Sequence, residues 1–263
     1  MNSKDNAEMF APTFEAWQPQ GADRDIAVLM SGGVDSSVTA MLLKEQGWNV
    51  VGVTMKIPMA EECSHPSPCC GADAALVCRE IGVPHYFVNV DKAFDRYVIQ
   101  HFRRSYLTGK TPNPCVNCNT FLKFTFVWDM LEEYLGVRFL ATGHYAKVMG
   151  TGENARLARG RNRTRDQSYF LYGIPRPRLP YFVLPLGELG KKRVRKITVE
   201  HKLPVAGKRD SMELCFAGEA DYRNALQSVN VTGRGPVYDT AGDLLGYHEG
   251  IHNFTIGQRK GLP

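Results

Sequence analysis

"DIAVLMSGGVDSSVTAMLLKEQG", Asp25 to Gly47, carries three patterns in one run. Asp25 to Met30 is a short apolar stretch that suits a strand buried on both faces. "SVTAMLLKEQG" then places Val38, Met41 and Leu42 at helical spacing and stops at Gly47. Between them lies "MSGGVDSS", Met30 to Ser37, where Gly32 and Gly33 open backbone conformations closed to other residues. In that order, strand, glycine turn and helix let consecutive N–H groups and the positive end of the helix converge on one anion. A phosphate belongs there; the plainer reading is a glycine turn with serine caps.

The turn is not a GxxxxGK[ST] loop, because no lysine follows its glycines. Its candidate nucleotide contacts are Met30, Ser31, Gly32, Gly33, Val34, Asp35 and Ser36. Ser31, Ser36 and Ser37 add hydroxyl donors, and Asp35 suits Mg²⁺ held against a pyrophosphate.

Outward from the turn the same alternation continues. "NVVGVTMKI" (49–57), "HYFVNV" (85–90) and "VRFLATGHYA" (137–146) read as strands. Segments 72–81, 92–107 and 121–135 read as helices. Alternating strands and helices imply an α/β, doubly wound parallel sheet. Beyond Lys147 come a hairpin around 150–154, an Arg-rich run and the Pro-dense "GIPRPRLPYFVLPLGEL". A boundary near Pro175 follows, with helices at 191–201 and 220–229 and β-type alternation in the last thirty residues. The expected organisation is a flexible tail over 1–22, a nucleotide-binding domain over 23–175 and a smaller mixed α+β domain over 176–263.

The 263 residues, 43% of them hydrophobic, are enough for one good core and a smaller one. No stretch of about 20 apolar residues offers a membrane span, and the acidic N-terminus does not read as a secretory signal, so the expected place is the cytoplasm. The net charge of +5 conceals an asymmetry: between Thr151 and Asp210, fifteen Lys and Arg face five Asp and Glu. Such a region either meets a polyanion or is a solvated charged surface.

Seven cysteines is an odd number, and in a reducing compartment thiols are more often reactive or metal-bound than bridged. In "TPNPCVNCN", Cys115 and Cys118 look presented on a segment held open by Pro112 and Pro114. Cys215, between Leu214 and Phe216, reads by itself as a small buried hydrophobe. Cys63, Cys69, Cys70 and Cys78, with His65, lack two clean CxxC pairs and read as a loop leading into a helix rather than as a zinc site.

SGGVDSS resembles the signature of the PP-loop ATP pyrophosphatases. "TPNPCVNCN" with "LKF", "ATGHYAKV", "RDQSYFLYG", "LPLGELGKKRVRKI", "KRDSMELCFAGE" and "TIGQRKGL" narrow the resemblance to the bacterial tRNA-uridine 2-sulfurtransferases, over about Asp25 to Leu262. The resemblance implies ATP and Mg²⁺ as cofactors and cleavage of ATP to AMP and pyrophosphate as the C2 oxygen of the tRNA wobble uridine is adenylated. It implies tRNA as partner, together with a sulfur donor, either a persulfide carrier protein or sulfide. Met55 and Gly143 match adenine and ribose contacts. Asn113, Pro114 and Cys115 match the loop that meets the target base, and His144, Arg165, Asp166 and Gln167 match tRNA contacts. Arg209 and Gln258 stand as further contacts or as ordinary solvated side chains.

Cys118 matches the family's nucleophile and Cys215 its persulfide carrier. Cys115 departs from the better-known pattern, which has aspartate there. Either it is a spectator beside a persulfide pair, or Cys115, Cys118 and Cys215 hold a [4Fe-4S] cluster, the reading preferred from sequence. The family pattern also continues into a C-terminal β-barrel, so the chain is expected to stop at Pro263 without it. Competing readings are a PP-loop ligase for another substrate, a different tRNA thiolase, and a non-enzymatic RNA- or metal-binding protein.

Overall fold

Strand β2 (Asp25–Leu29) is buried along its whole length, as a strand covered on both faces must be. Around it a computed structural model describes residues 8–57, 71–210, 214–216, 222–226 and 233–262. In chain order the elements of the main body are β1 (Glu8–Met9), β2, α1 (Val34–Glu45), β3 (Asn49–Lys56), α2 (Ala72–Glu80) and β4 (His85–Asn89). Two long helices follow. We label α3 the helix over 91–107 and α4 the helix over 114–135; each contains a stretch of wide, π-type turns, at Asp95–Ile99 and Cys118–Val127. Then come β5 (Phe139–Ala141), the hairpin β6 (Ala146–Met149) and β7 (Arg156–Arg159), β8 (Phe182–Val183) and α5 (Lys191–Glu200).

The sheet runs β1-β4-β3-β2-β5-β8, parallel throughout except for the antiparallel edge strand β1. Successive side chains of a strand point to opposite faces. Accordingly Ala27, Leu29, Val51 and Val53 enter one core with Phe102, Leu122 and Trp128 of α3 and α4. Ile26, Val28 and Val50 enter the other with Val38 and Leu43 of α1, Val77 of α2 and Val194 and Ile197 of α5. The expected doubly wound α/β sheet is the observed one. Its order reverses beside β2, with β3 on one side and β5 on the other. In open α/β sheets the crevice at such a reversal, beyond the strands' carboxyl ends, is where ligands bind. The segments that leave β2 and β5 there are the phosphate turn and Thr142–Tyr145.

Several expectations need correction. The tail expected to be flexible over 1–22 is docked from residue 8 onward: β1 pairs with β4, and Trp17 is buried, its backbone N–H donating to Tyr86 Oη at 2.8 Å and its indole N–H to the Leu135 carbonyl at 3.2 Å. A single buried aromatic ring is enough to hold a short segment, and it leaves no periodic signal. The sheet does not end near Pro175 either, since β8 pairs in parallel with β5 and α5 packs on α1. The expected strand 137–146 is interrupted at Thr142–Tyr145. The helix expected from 121 begins at Pro114, because proline at the first helical position needs no N–H partner. Within the expected helix 220–229, Tyr222–Leu226 is a 3₁₀ turn and the rest lies outside the described residues. Gly235–Tyr238 (β9) and Leu244–His248 (β10) form an antiparallel hairpin. Among the described residues no helix is long and apolar enough to cross a membrane.

Candidate active site

Gly32 takes a left-handed φ of +69°, a conformation that suits glycine, and Gly33 precedes the first turn of α1 with no side-chain cap. The uncapped N-terminus of α1 therefore presents donors and the positive end of its dipole. The serines of the turn brace it. Ser36 Oγ donates to the Gly33 carbonyl at 3.2 Å, Ser37 Oγ donates to the same carbonyl at 2.9 Å, and Ser31 N–H donates to Ser36 Oγ at 3.2 Å. Below them Met30 is buried, and its carbonyl accepts from Thr54 Oγ1 at 2.9 Å. Val34 faces the core. Gly143 closes on the turn from β5: a Cβ there would lie 2.8 Å from Asp35 C and Ser36 N. Met55, half-buried on β3, packs against the core.

Asp35 is already engaged. Tyr145 Oη donates to its Oδ1 at 2.7 Å, and Lys191 Nζ lies 2.8 Å from both of its oxygens. Burial, then the Asp35 charge, holds the Tyr145 phenol protonated, its pKa raised. A carboxylate clasped by an ammonium and a phenol is not a free Mg²⁺ ligand, so the residues as arranged do not fit the expected metal. Lys191 also meets Asp210 Oδ1 at 2.8 Å, where Arg195 Nη2 arrives at 2.7 Å, while Arg165 Nη1 reaches Asp210 Oδ2 at 3.2 Å. Burial opposes ionisation of Asp210, but Lys191, Arg195 and Arg165 outweigh it and hold its carboxyl below the usual range. Lys208 Nζ donates to the Gly32 carbonyl at 3.0 Å and pairs with Asp73.

The cysteines are less gathered. Asn113 is exposed just before α4, Pro114 is buried, and Cys115 is exposed in the first helical turn. Cys118, one turn on, is half-buried against the core, which corrects the expectation that both thiols are presented. Burial raises the Cys118 thiol pKa; Lys123, five positions along the wide turns of α4, pulls it down, and Cys115 adds to the rise. Lys123 Nζ donates to Asn119 Oδ1 at 2.9 Å. Cys215 is exposed, while Phe216 beside it packs on Phe94 and Phe102 in the core that Cys118 also touches. Among the described residues no group of three His, Cys, Asp or Glu side chains could hold a metal ion. Cys115, Cys118 and Cys215 thus do not fit a [4Fe-4S] cluster as the chain is arranged. Cys78 is core, its thiol pushed to about 12 by burial. Cys63, Cys69, Cys70 and His65 lie outside the described residues.

The segment expected to touch RNA folds back on this edge. Gln167 brackets Tyr145: its Oε1 accepts from Tyr145 N–H at 3.0 Å and its own N–H donates to the Tyr145 carbonyl at 2.9 Å. Asp166 accepts from Gly160 N–H at 2.9 Å and from Ser168 Oγ at 2.8 Å; burial works against its ionisation, but these bonds keep its carboxyl low. His144 is half-buried, accepts or donates to Thr142 Oγ1 at 2.7 Å, and is pushed down to about 3 by burial and Lys123, so it is neutral at ordinary pH.

A family model described as the tRNA methyl transferase HUP domain matches residues 24–219, and a second, its PRC-barrel domain, matches 223–263. The protein named tRNA-specific 2-thiouridylase MnmA from Acidithiobacillus ferrooxidans is 41% identical over 244 residues, 92% of this chain and 68% of that protein. The protein of the same name from Moorella thermoacetica is 44% identical over 247 residues, 89% of this chain and 68% of its own length. The chain belongs to the tRNA-specific 2-thiouridylase family of sulfurtransferase enzymes. Among solved structures, the U34-tRNA thiolase NcsA from Methanococcus maripaludis with its [4Fe-4S] cluster is similar at 20% identity and a TM-score of 0.44, over 74% of this chain and 62% of that one, too loose a likeness to bear on chemistry. The PRC-barrel model covers the region that holds the β9–β10 hairpin.

In this thiouridylase-family chain, then, Met30 to Ser36 and Gly143 meet at one edge of the sheet, and Arg165 reaches that edge through Asp210. Arg209 is exposed, and Gln258 is turned inward on its own loop, accepting from Thr255 N–H at 3.1 Å. Tyr145, Lys191, Lys208 and Asp210 were not singled out by sequence as site residues. The basic cluster "KKRVRK" was the available signal for Lys191, but it read as a general polyanion face.

Proposed function

We propose that the chain uses ATP to replace the C2 oxygen of a tRNA uridine, the wobble U34, by sulfur. The observation that carries the reading is Asp210: one carboxylate bonded to Lys191 at the phosphate turn and to Arg165 in the RNA-contact segment, five positions before Cys215. It supports a nucleotide site, an RNA site and a sulfur carrier working as one unit. A methyl transferase would need neither the phosphate turn nor the paired thiols.

The uridine O2 attacks the α-phosphorus of ATP, pyrophosphate leaves, and the oxygen becomes part of an AMP leaving group. Cys215, loaded as a persulfide by a persulfide carrier protein, attacks C2 through its terminal sulfur, and AMP departs. Cys118, as thiolate, then attacks Cys215 Sγ; the S–S bond breaks, its electron pair stays with the sulfur on the base, and a Cys118–Cys215 disulfide forms. An external thiol reductant reopens that disulfide. A base whose C2 must be reached has to be splayed from its stack, which suits the exposed position of Asn113 and Cys115 at the head of α4.

The test is mass analysis of nucleosides from tRNA incubated with protein, ATP and a persulfide source. 2-Thiouridine that appears only with ATP and vanishes with Cys118→Ala supports the reading; thiolation without ATP, or undiminished in that variant, overturns it.

A further inference from the structure

The phosphate turn has no lysine of its own in sequence, yet the fold brings one to it. Lys191 opens α5, 156 positions after Asp35, and its side chain is only 12% exposed. Its ammonium lies against both oxygens of Asp35, in the first turn of α1, where the uncapped helix start faces an incoming anion. We propose that Lys191 is a ligand of the pyrophosphate part of the nucleotide, held in place by Asp35 until the phosphates arrive. This rests on the nucleotide reading above.

The charge arrangement favours such an exchange. Asp210 is shared by Lys191, Arg195 and Arg165, so three cations face two carboxylates. Asp210 keeps its two arginines if Lys191 turns, and Asp35 keeps the Tyr145 hydroxyl. A polyphosphate carries more negative charge than Asp35 and binds at the same helix start, so the ammonium exchanges one anion for another without losing solvation by a counter-charge. The lysine that a GxxxxGK loop carries in line is here supplied from across the chain. The poor fit of Asp35 to Mg²⁺ has the same origin, since the position a metal would take is filled by an amine.

Equilibrium binding of ATP, inorganic pyrophosphate and AMP, measured in EDTA, tests this. Lys191→Met is expected to weaken ATP and pyrophosphate by at least about tenfold while AMP changes less than about threefold, because AMP lacks the β and γ groups. Lys191→Arg retains binding within a few-fold. Lys196→Met, which removes an exposed charge from the same helix, leaves all three unchanged. Asp35→Asn moves the other way: loss of the competing carboxylate tightens pyrophosphate several-fold, and this outcome does not depend on how well Lys191→Met folds. Equal losses for AMP and ATP in Lys191→Met, or weaker pyrophosphate binding in Asp35→Asn, overturn the assignment while leaving the nucleotide reading intact. No ATP binding by the parent protein overturns both.

Discussion

The phosphate turn and the head of α4 are the two ends of the proposed site, and they are held in different ways. At the turn, serine hydroxyls, Lys208 and the backbone of Gly143 press on a few residues from several sides. At the head of α4, Cys115 stands exposed and Cys118 is half-buried, and among the described residues no three such side chains form a metal-ligand set. On the proposed reading, the nucleotide end is braced by its own residues, while the sulfur end is braced far less. Rigid placement suits an electrostatic cradle, whereas the proposed closure of a Cys118–Cys215 disulfide asks the two cysteines to approach each other.

The largest effect that would sharpen this contrast separates the two cysteines of α4. Cys118→Ala should reduce tRNA thiolation by more than about two orders of magnitude, as removal of a nucleophile does. Cys115→Asp should keep at least about a third of the rate, because the proposed route asks nothing of Cys115 beyond its place beside the base. Equal loss in both variants, read by 2-thiouridine content, would return Cys115 to a direct part in the reaction and reopen the three-cysteine reading.

The turn is tested by crowding it. In Gly143→Ala the new methyl would sit 2.8 Å from Asp35 C and Ser36 N, inside contact distance with backbone that cannot rotate away. Overpacking of this kind costs about 1–3 kcal/mol, and here the strain falls on the start of α1, so ATP affinity should drop roughly 5- to 150-fold. Gly207→Ala, where nothing lies within 4 Å of the added Cβ, should change neither affinity nor melting temperature. Unchanged ATP binding in Gly143→Ala would mean the turn yields more readily than its contacts imply.

What the sequence disclosed follows the range of the forces involved. β2, the glycine turn and α1 are specified by neighbours, through an apolar run, two glycines and a helical period, and they are legible except that α1 begins at Val34, three residues before the run read as helix. β8 is two residues in a Pro-dense stretch, and only the exposed edge of β5 makes a strand of it. Trp17 binds the N-terminal segment through one ring and two hydrogen bonds to residues far along the chain. In sequence Pro114 looks like a loop residue, because proline signals a break unless the helix behind it is already known, and in the fold it opens α4. The Lys191–Asp35 and Arg165–Asp210 pairs span 156 and 45 positions, and no local pattern can encode which acid a given lysine or arginine will meet.

The smallest expected effect concerns Cys118 alone. Burial makes its thiolate harder to form, so alkylation of Cys118, followed by peptide mass analysis, should rise with pH later than for an ordinary thiol, the thiolate fraction growing as pH passes the raised pKa. Lys123 favours the thiolate and Cys115 opposes it, so changes at the two positions must act with opposite sign. Lys123→Met should slow alkylation at pH 8 by about two- to fivefold and move the profile to higher pH, because a half-buried cation in wide helical turns is only partly screened. Cys115→Ser removes the neighbour that raises the Cys118 pKa and should move the profile the other way. If the two variants shift it in the same direction, the reactivity of Cys118 is set by opening of the helix head rather than by its charged neighbours, and the contrast between a fixed turn and a pliable cysteine site becomes one of motion alone.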